Sequence, residues 1–278
     1  MTTIPTTPTP DGGSIPVFGL GTWRMGERGS EAEREIATLR KGLELGITLI
    51  DTAEMYGSGG SERIVAQAIA GRRDEVYLVS KVLPSNASYE GTIRACEESL
   101  RRLATDRLDL YLLHWRGSHP LQETVRAFEK LKADGRIVRW GVSNFDVEDM
   151  EDLDRISTDC ATNQVLYNLS RRGIEHDLLA WCRQRSMPVM AYSPIAQGAL
   201  AGNRTVEAIA QAHDATAAQI ALAWVMERPG VVAIPKTSHP ERVEENLKSL
   251  DIRLTDSDRA ALDRAFPPPR GKTSLEMI

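Results

Sequence analysis

One pattern of hydrophobic and polar positions repeats along most of the chain: a short apolar run, a polar turn and a helical stretch. Apolar runs of about four to eight residues, rich in β-branched side chains, are typical of strands buried on both faces. Eight such runs occur, at 17–21, 47–51, 76–81, 108–114, 138–143, 161–165, 189–192 and 231–235. Most of them lie roughly 25 to 30 residues apart, which leaves room for a strand, a crossover helix and two loops.

The segments between the runs have the spacing of amphipathic helices. In 31–46, Ile36, Leu39 and Leu43 fall on one side, and Gly46 is placed to end the helix. The segments 89–103 and 121–135 show the same spacing, and two extra helices are predicted at 205–213 and 256–265.

Alternating strands and helices without a change in composition predict an α/β fold, a single (β/α)8 barrel of the TIM type that forms one domain over residues 1–278. Ahead of the first barrel strand, Asp11, Gly12 and Gly13 mark a tight turn between two short stretches. We expect an N-terminal hairpin here that caps the bottom of the barrel. Residues 267–278 predict a short tail without regular structure.

Composition excludes several classes of protein. The 278 residues are 41% hydrophobic and 26% charged, with a net charge of −5, which argues against a nucleic-acid partner. No apolar run is long enough for a membrane span, and the N-terminus is expected to lack a secretory signal. The spacing of Cys96, Cys160 and Cys182 fits neither a zinc site nor a disulfide framework. We therefore expect a cytoplasmic monomer that acts on a small molecule.

Polar side chains follow the apolar runs at one end of the strands. Asp51, Lys81 and His114 end the second, third and fourth runs. The later strands contribute Ser143, Asn144, Gln164, Tyr192, Ser193 and Lys236. Because the C-terminal ends of barrel strands share one rim, where such folds hold their active sites, these side chains predict a site there. Taken singly, each has an ordinary explanation, such as a turn cap or a packed core histidine.

Four residues together predict acid–base chemistry. The ammonium of Lys81 beside Tyr56 would lower the pKa of the phenol from its usual value of about 10, and Asp51 would hold that ammonium charged. His114 would donate a hydrogen bond to a carbonyl oxygen placed between it and Tyr56. Such a set protonates an alkoxide as it forms. Because the set holds no reducing group, the hydride must come from a cofactor.

The motifs around these residues resemble those of the aldo-keto reductases. They are DTAEMYG at 51–57, Lys81 after its strand, LLHW at 112–115, GVSNF at 141–145, NQV at 163–165, AYSP at 191–194 and IPKT at 234–237. The resemblance covers nearly the whole chain in the family's order. The short loops and the glycine-rich stretch 57–60 are most similar to the short bacterial members, including methylglyoxal reductases.

The resemblance implies a catalytic tetrad of Asp51, Tyr56, Lys81 and His114. Tyr56 would be the proton donor in reduction, Lys81 would tune it, Asp51 would support Lys81 and His114 would orient the carbonyl group. The family binds NADPH in an extended form across the barrel mouth, which agrees with the absence of a G-x-G-x-x-G motif after any strand of this sequence.

The resemblance also assigns the cofactor contacts. Ser143, Asn144 and Gln164 would hold the carboxamide, and Tyr192 would stack on the nicotinamide ring. The loop along the pyrophosphate would be Ser193, Pro194, Ile195, Gly198 and Leu200. Glu245 and Asn246 would contact the adenine, and the remaining contacts would be Gly21, Thr22, Trp23 and Asp51.

A preference for NADPH over NADH rests on Lys236, Thr237, Ser238 and Arg242, which place two cations and two hydroxyls near one spot. Such groups suit a phosphate dianion, because charge-assisted hydrogen bonds are about twice as strong as neutral ones. The alternative is a solvated strand end followed by the start of a helix.

The substrate pocket is predicted from Trp23, Met55, Tyr56, His114 and Trp115. Larger members of the family have a long C-terminal segment over the substrate, so the short tail here predicts a more open pocket for small aldehydes and ketones, with 2-oxoaldehydes such as methylglyoxal among them. Two other functions stay open: a non-catalytic NADPH-binding regulatory module, and a Schiff-base lyase that uses Lys81. Asp51 opposes the second, because it stabilises the ammonium.

Overall fold

The computed structural model describes residues 4–278, and its strands form a closed parallel barrel preceded by a hairpin. The hairpin strands β1 (Thr6–Pro8) and β2 (Ser14–Pro16) are antiparallel. The barrel strands are β3 (Gly19–Gly21), β4 (Leu49–Asp51), β5 (Tyr77–Val82), β6 (Leu108–Leu113), β7 (Ile137–Ser143), β8 (Asn163–Leu166), β9 (Val189–Tyr192) and β10 (Val231–Ile234). Each pairs in parallel with the next along the chain, and the bridges Phe18–Ala233 and Gly21–Lys236 close β10 onto β3. The predicted α/β barrel is confirmed.

Helices connect the strands and cover the barrel. They are α1 (Ala32–Glu44), α2 (Gly60–Ala68), α3 (Tyr89–Leu103), α4 (Leu121–Ala133), α5 (Val147–Asp154), α6 (Leu178–Gln184), α7 (Arg204–Ala212), α8 (Ala217–Met226), α9 (Pro240–Leu247) and α10 (Asp256–Ala265). The two extra helices predicted from the sequence are α7 and α10. The side chain of Thr255 accepts a hydrogen bond from the backbone amide of Asp258, and this cap fixes the start of α10 at Asp256, as predicted.

The hairpin seals the end of the barrel opposite the site. Ile15 of β2 has 0% of its surface exposed and packs in one apolar cluster with the inward side chains Leu49, Leu110 and Val232. At the turn, Gly12 has a φ of 79°, a conformation that costs glycine little. The cap predicted at the bottom of the barrel is therefore present.

The tail after α10 has no regular structure, as expected, but it runs across the surface toward the barrel mouth. Two ion pairs hold it there: Lys272 Nζ lies 2.7 Å from Glu148 Oε1, and Arg171 Nη1 lies 2.7 Å from Glu276 Oε1. Leu275 packs against the core between these two ion pairs. Nothing in the local sequence pattern indicates this path. Over residues 4–278, no helix combines the length and the apolar character that crossing a bilayer requires.

Candidate active site

The ends of β4 and β5 bring two opposite charges together inside the barrel. Successive side chains of a strand point to opposite faces. Ser80 points outward and donates a hydrogen bond to Glu62 of α2, whereas its neighbour Lys81 points into the barrel. Lys81 is 0% exposed. Its Nζ atom donates to Asp51 Oδ2 at 2.8 Å and to the carbonyl oxygen of Thr52 at 2.9 Å. The buried ammonium therefore has a counter-ion and a second acceptor, as burial of a charge requires.

Tyr56 completes this contact from the segment that follows β4. Lys81 Nζ lies 3.3 Å from Tyr56 Oη and 4.9 Å from the centroid of its ring. Tyr56 begins a short 3₁₀ helix, Tyr56–Gly59, in which Gly57 has a φ of 57° and Gly59 a φ of 81°. A β-carbon on Gly60 would lie 2.5 Å from the carbonyl oxygen of Gly26, so this turn fits closely against the loop after β3.

Burial and charge act in opposite directions on the Tyr56–Lys81 pair. Burial favours the neutral amine of Lys81, but the Asp51 carboxylate and Tyr56 outweigh it and hold the pKa of Lys81 above its usual value. Burial also raises the pKa of Tyr56, and although Lys81 lowers it, the pKa remains above the usual value. The expectation of a phenol more acidic than normal is therefore wrong for this structure. Tyr56 keeps its proton at neutral pH and is available as a donor.

His114, the residue after β6, faces Tyr56 across the same space. Their ring centroids are 5.8 Å apart, at an interplanar angle of 76°, and the centroid of Trp115 is 4.9 Å from that of His114. Burial, together with the charge of Lys81, lowers the pKa of His114 to about 2. The imidazole is therefore neutral at physiological pH and can donate one hydrogen bond from one ring nitrogen.

These residues lie at the floor and walls of a cavity of about 750 Å³ at the barrel mouth. Most of the predicted site residues line it: Gly21, Thr22, Trp23, Asp51, Met55, Tyr56, His114, Trp115, Ser143, Asn144, Gln164, Tyr192, Ser193, Pro194, Ile195, Gly198, Lys236 and Arg242. Six predicted residues do not line it: Lys81, Leu200, Thr237, Ser238, Glu245 and Asn246. Lys81 lies behind Asp51 and Tyr56, so it acts on the cavity through them.

Amide and hydroxyl groups gather on the side of the cavity formed by β7, β8 and β9. Gln164 Nε2 donates to Asp51 Oδ1 at 2.8 Å, and the hydroxyl of Tyr192 donates to Asn144 Oδ1 at 2.9 Å. Asn144 has a φ of 57°, which is uncommon outside glycine, and its Nδ2 atom donates to the carbonyl oxygen of His114 at 3.1 Å. This cluster can hold a planar amide beside the aromatic ring of Tyr192.

Cations gather on the side formed by β10 and α9. Lys236 Nζ donates to Ser238 Oγ at 2.7 Å, and Arg242 lines the cavity from the first turns of α9. Burial lowers the pKa of Lys236, although the carboxylates of Glu35, Glu31 and Glu27 oppose this. The Glu245 side chain accepts a hydrogen bond from Thr216 at 3.0 Å, so that carboxylate is engaged with α8.

Several of the residues that line the cavity were not predicted from the sequence. They are Arg24, Gln197, Ile234, Met277 and Ile278. Arg24 lies over the ring of its neighbour Trp23, 4.3 Å from the centroid, and its position in the sequence next to a predicted site residue was the available signal. Met277 is 54% exposed and reaches the mouth through the path of the tail, so the tail forms part of the cavity wall.

The chain is similar to known proteins in sequence and in structure. The model of the Aldo/keto reductase family matches residues 17–266. Methylglyoxal reductase YeaE of Escherichia coli is 54% identical over 95% of this chain and 96% of its own length. Glyoxal reductase of Bacillus subtilis is 35% identical over 91% of this chain and 90% of its own. The crystal structure of an aldo/keto reductase from Klebsiella pneumoniae in complex with NADP and acetate has a TM-score of 0.96 and 53% identity, covering 99% of this chain and 100% of that one.

Proposed function

The chain belongs to the aldo/keto reductase family, and on that premise we propose that it reduces small aldehydes and ketones to alcohols with NADPH. One observation carries the proposal: a buried ammonium, Lys81, contacts both Asp51 and Tyr56 at the floor of the cavity. The names of the relatives from E. coli and B. subtilis support short 2-oxoaldehydes, methylglyoxal first among them, as substrates.

The polar groups of the cavity suit the two ends of NADPH. Ser143, Asn144 and Gln164 offer the donors and acceptors that a carboxamide needs, and Tyr192 offers a ring for stacking. On the opposite side, Lys236 and Arg242 match a phosphate dianion in charge. The complex of the Klebsiella pneumoniae reductase with NADP supports the same cofactor here.

The tetrad then has a defined set of tasks. When bound, reduced nicotinamide supplies the hydride. Tyr56 and neutral His114 orient the carbonyl oxygen, and Tyr56 donates its proton to that oxygen as negative charge develops there. Lys81 stabilises the phenolate that remains, and Asp51 keeps Lys81 charged and in place. Trp23 and Trp115 narrow the mouth and limit the access of water to these atoms.

A direct assay tests the proposed function. The purified protein should oxidise NADPH, followed by the loss of its near-ultraviolet absorbance, in the presence of methylglyoxal, glyoxal or an aromatic aldehyde. A panel of carbonyl compounds ranked by kcat/KM would identify the preferred substrate. Tight binding of NADPH without turnover of any of them would favour the regulatory module instead.

The lyase alternative conflicts with the surroundings of Lys81. A Schiff base requires a neutral, accessible amine, whereas Lys81 is fully buried and Asp51 holds it charged. Treatment with borohydride and a carbonyl substrate should therefore leave Lys81 unlabelled.

The cofactor preference leads to a prediction for Arg242. Arg242→Ala should raise the KM for NADPH by about tenfold to a hundredfold, because a charge-assisted hydrogen bond contributes roughly 1.5–3 kcal/mol. The KM for NADH should change by less than about twofold, since NADH lacks the 2′-phosphate. Lys248→Ala, which removes an exposed cation just after α9, is the matched control. Equal weakening of both cofactors would refute the assignment.

The burial of His114 leads to a prediction for pH. Because the imidazole stays neutral, kcat at saturating NADPH should vary by less than about twofold between roughly pH 5.5 and 7.5. In an NMR titration, the ring resonance of His114, assigned with His114→Gln, should not move over this range. A midpoint near the usual pKa of about 6.5 for His114 would contradict the description of a buried neutral ring.

We further infer a cytoplasmic monomer that works as one domain. The family match spans residues 17–266, nearly the whole chain. Cys96, Cys160 and Cys182 are buried as free thiols, which suits a reducing compartment.

A further inference from the structure

The chain segments that carry Tyr56 and Lys81 leave the barrel side by side, beyond the last backbone pairing of β4 with β5. That pairing extends to the amide of Thr52, which donates to the carbonyl oxygen of Val79 at 2.9 Å. Beyond this bond, segment 53–59 is joined to segment 82–88 by hydrogen bonds that, within residues 4–278, are all accepted by the side chain of Glu54.

Glu54 takes the place of the backbone ladder after the strands end. Its Oε1 atom accepts the amide N–H of Leu83 at 2.7 Å and Nδ2 of Asn86 at 3.0 Å. Glu54 precedes Tyr56 by two residues, and Leu83 follows Lys81 by two. A half-buried carboxylate that accepts a backbone amide makes a charge-assisted hydrogen bond, which is stronger than a neutral one.

We propose that Glu54 is a positioning residue that sets the contact between Tyr56 and Lys81. This inference rests on the proposed function. Lys81 is held independently by Asp51 and by the carbonyl oxygen of Thr52, so a loss of the Glu54 contacts displaces Tyr56 rather than Lys81. The distance from Lys81 Nζ to Tyr56 Oη is already 3.3 Å, so a small outward shift of Tyr56 breaks this hydrogen bond.

The displacement has a predictable effect on protonation. The charged or titratable groups that face Tyr56 are Asp51 from β4, Lys81 from β5, His114 after β6 and Tyr192 from β9. Among them Lys81 lowers the pKa of Tyr56, so separation from Lys81 raises that pKa further. Reduction requires the protonated phenol of Tyr56, so the rate of reduction falls as the pH rises through the pKa of Tyr56. The basic limb of the kcat profile should therefore move to higher pH when Glu54 is lost.

The test compares Glu54→Ala and Glu54→Gln with wild type in the reduction of methylglyoxal by NADPH. Glu54→Ala should lower kcat by about 10- to 100-fold, the effect of misplacing a reacting group by about 1 Å. The KM for methylglyoxal and the Kd for NADPH should stay within about twofold, and the basic limb should move upward. Glu54→Gln keeps an acceptor oxygen at the same reach and should recover most of the loss in kcat.

A matched control separates position from general stability. Glu123 is also half-buried and also accepts a backbone amide, that of Tyr89 at 3.3 Å, at the start of α3. Glu123→Ala should leave both kcat and the pH profile unchanged. If Glu54→Ala does not fold, Asn86→Ala, which removes one of the two donors to Glu54, should show a smaller loss in kcat in the same direction.

Hydrogen exchange provides a measurement that is independent of activity. The amide of Leu83 should lose protection in Glu54→Ala and keep it in Glu54→Gln. An unchanged kcat and basic limb in Glu54→Ala would overturn the inference, as would a loss in kcat that Glu54→Gln does not recover. An inactive wild-type protein would instead overturn the proposed function, and the exchange of Leu83 would still show whether Glu54 joins the two segments.

Discussion

Replacing Tyr56 by phenylalanine should lower kcat for carbonyl reduction by about three orders of magnitude, within the range of general acid catalysis. The substitution removes one oxygen atom, the one that Lys81 Nζ contacts at 3.3 Å, and leaves the aromatic ring against His114. The developing alkoxide then has no proton donor among these residues, since His114 is neutral and Lys81 lies behind the cavity wall.

Cofactor binding should survive this change. The groups that suit NADPH lie on β7, β8, β9, β10 and α9, so the Kd measured by fluorescence titration should stay within about twofold of wild type. Tyr89→Phe, at the start of α3, is the control for the loss of a tyrosine hydroxyl elsewhere. Retention of more than about a tenth of wild-type kcat in Tyr56→Phe would remove Tyr56 from the role of donor.

Lys81→Met should have a comparable effect on kcat and a large effect on stability. Removal of one partner from a buried ion pair leaves the other charge uncompensated, which costs about 3–5 kcal/mol. Here the remaining charge is Asp51, which keeps the hydrogen bond from Gln164 on its Oδ1 atom. The free energy of unfolding, measured by urea denaturation, should therefore fall by about 3–5 kcal/mol.

The double variant Asp51→Asn with Lys81→Met separates the two effects. Removal of both charges should restore a substantial part of the lost stability, because a neutral pair of similar volume replaces the buried ions. Activity should not return, since no ammonium remains to stabilise the phenolate of Tyr56. Wild-type stability in the Lys81→Met protein would contradict the buried pairing, and substantial kcat would contradict the role of Lys81.

The barrel and its charged floor were predictable because their signals are local. Each strand is a short apolar run, and Asp51, Lys81 and His114 stand where such a run ends, so parallel pairing brings them to one rim. The cap of Thr255 likewise places α10 by a hydrogen bond to a residue three positions away.

Features that depend on burial or on distant contacts were not predictable. The sequence places the charge of Lys81 near Tyr56, and this charge lowers the pKa of the phenol. The sequence does not reveal how deeply Tyr56 is buried, and this burial raises the pKa by more than Lys81 lowers it. The contact of Glu54 with Leu83 joins residues 29 positions apart. Leu200 lies outside the cavity because its side chain is buried in the hydrophobic core. The loop that leads to it passes through Ser193, Ala196 and Gln197, all with positive φ, a conformation that residue types other than glycine seldom indicate in advance.

The two ion pairs that hold the tail, Lys272–Glu148 and Arg171–Glu276, are exposed on the surface. Mobile ions screen such pairs strongly, with a Debye length of about 8 Å at physiological ionic strength and about 3 Å at 1 M salt. Salt therefore weakens the attachment of Met277 at the mouth as well as the attraction of an anionic cofactor. Rates compared between buffers of unequal ionic strength would combine both effects, so a ranking of substrates is meaningful only at one fixed salt concentration.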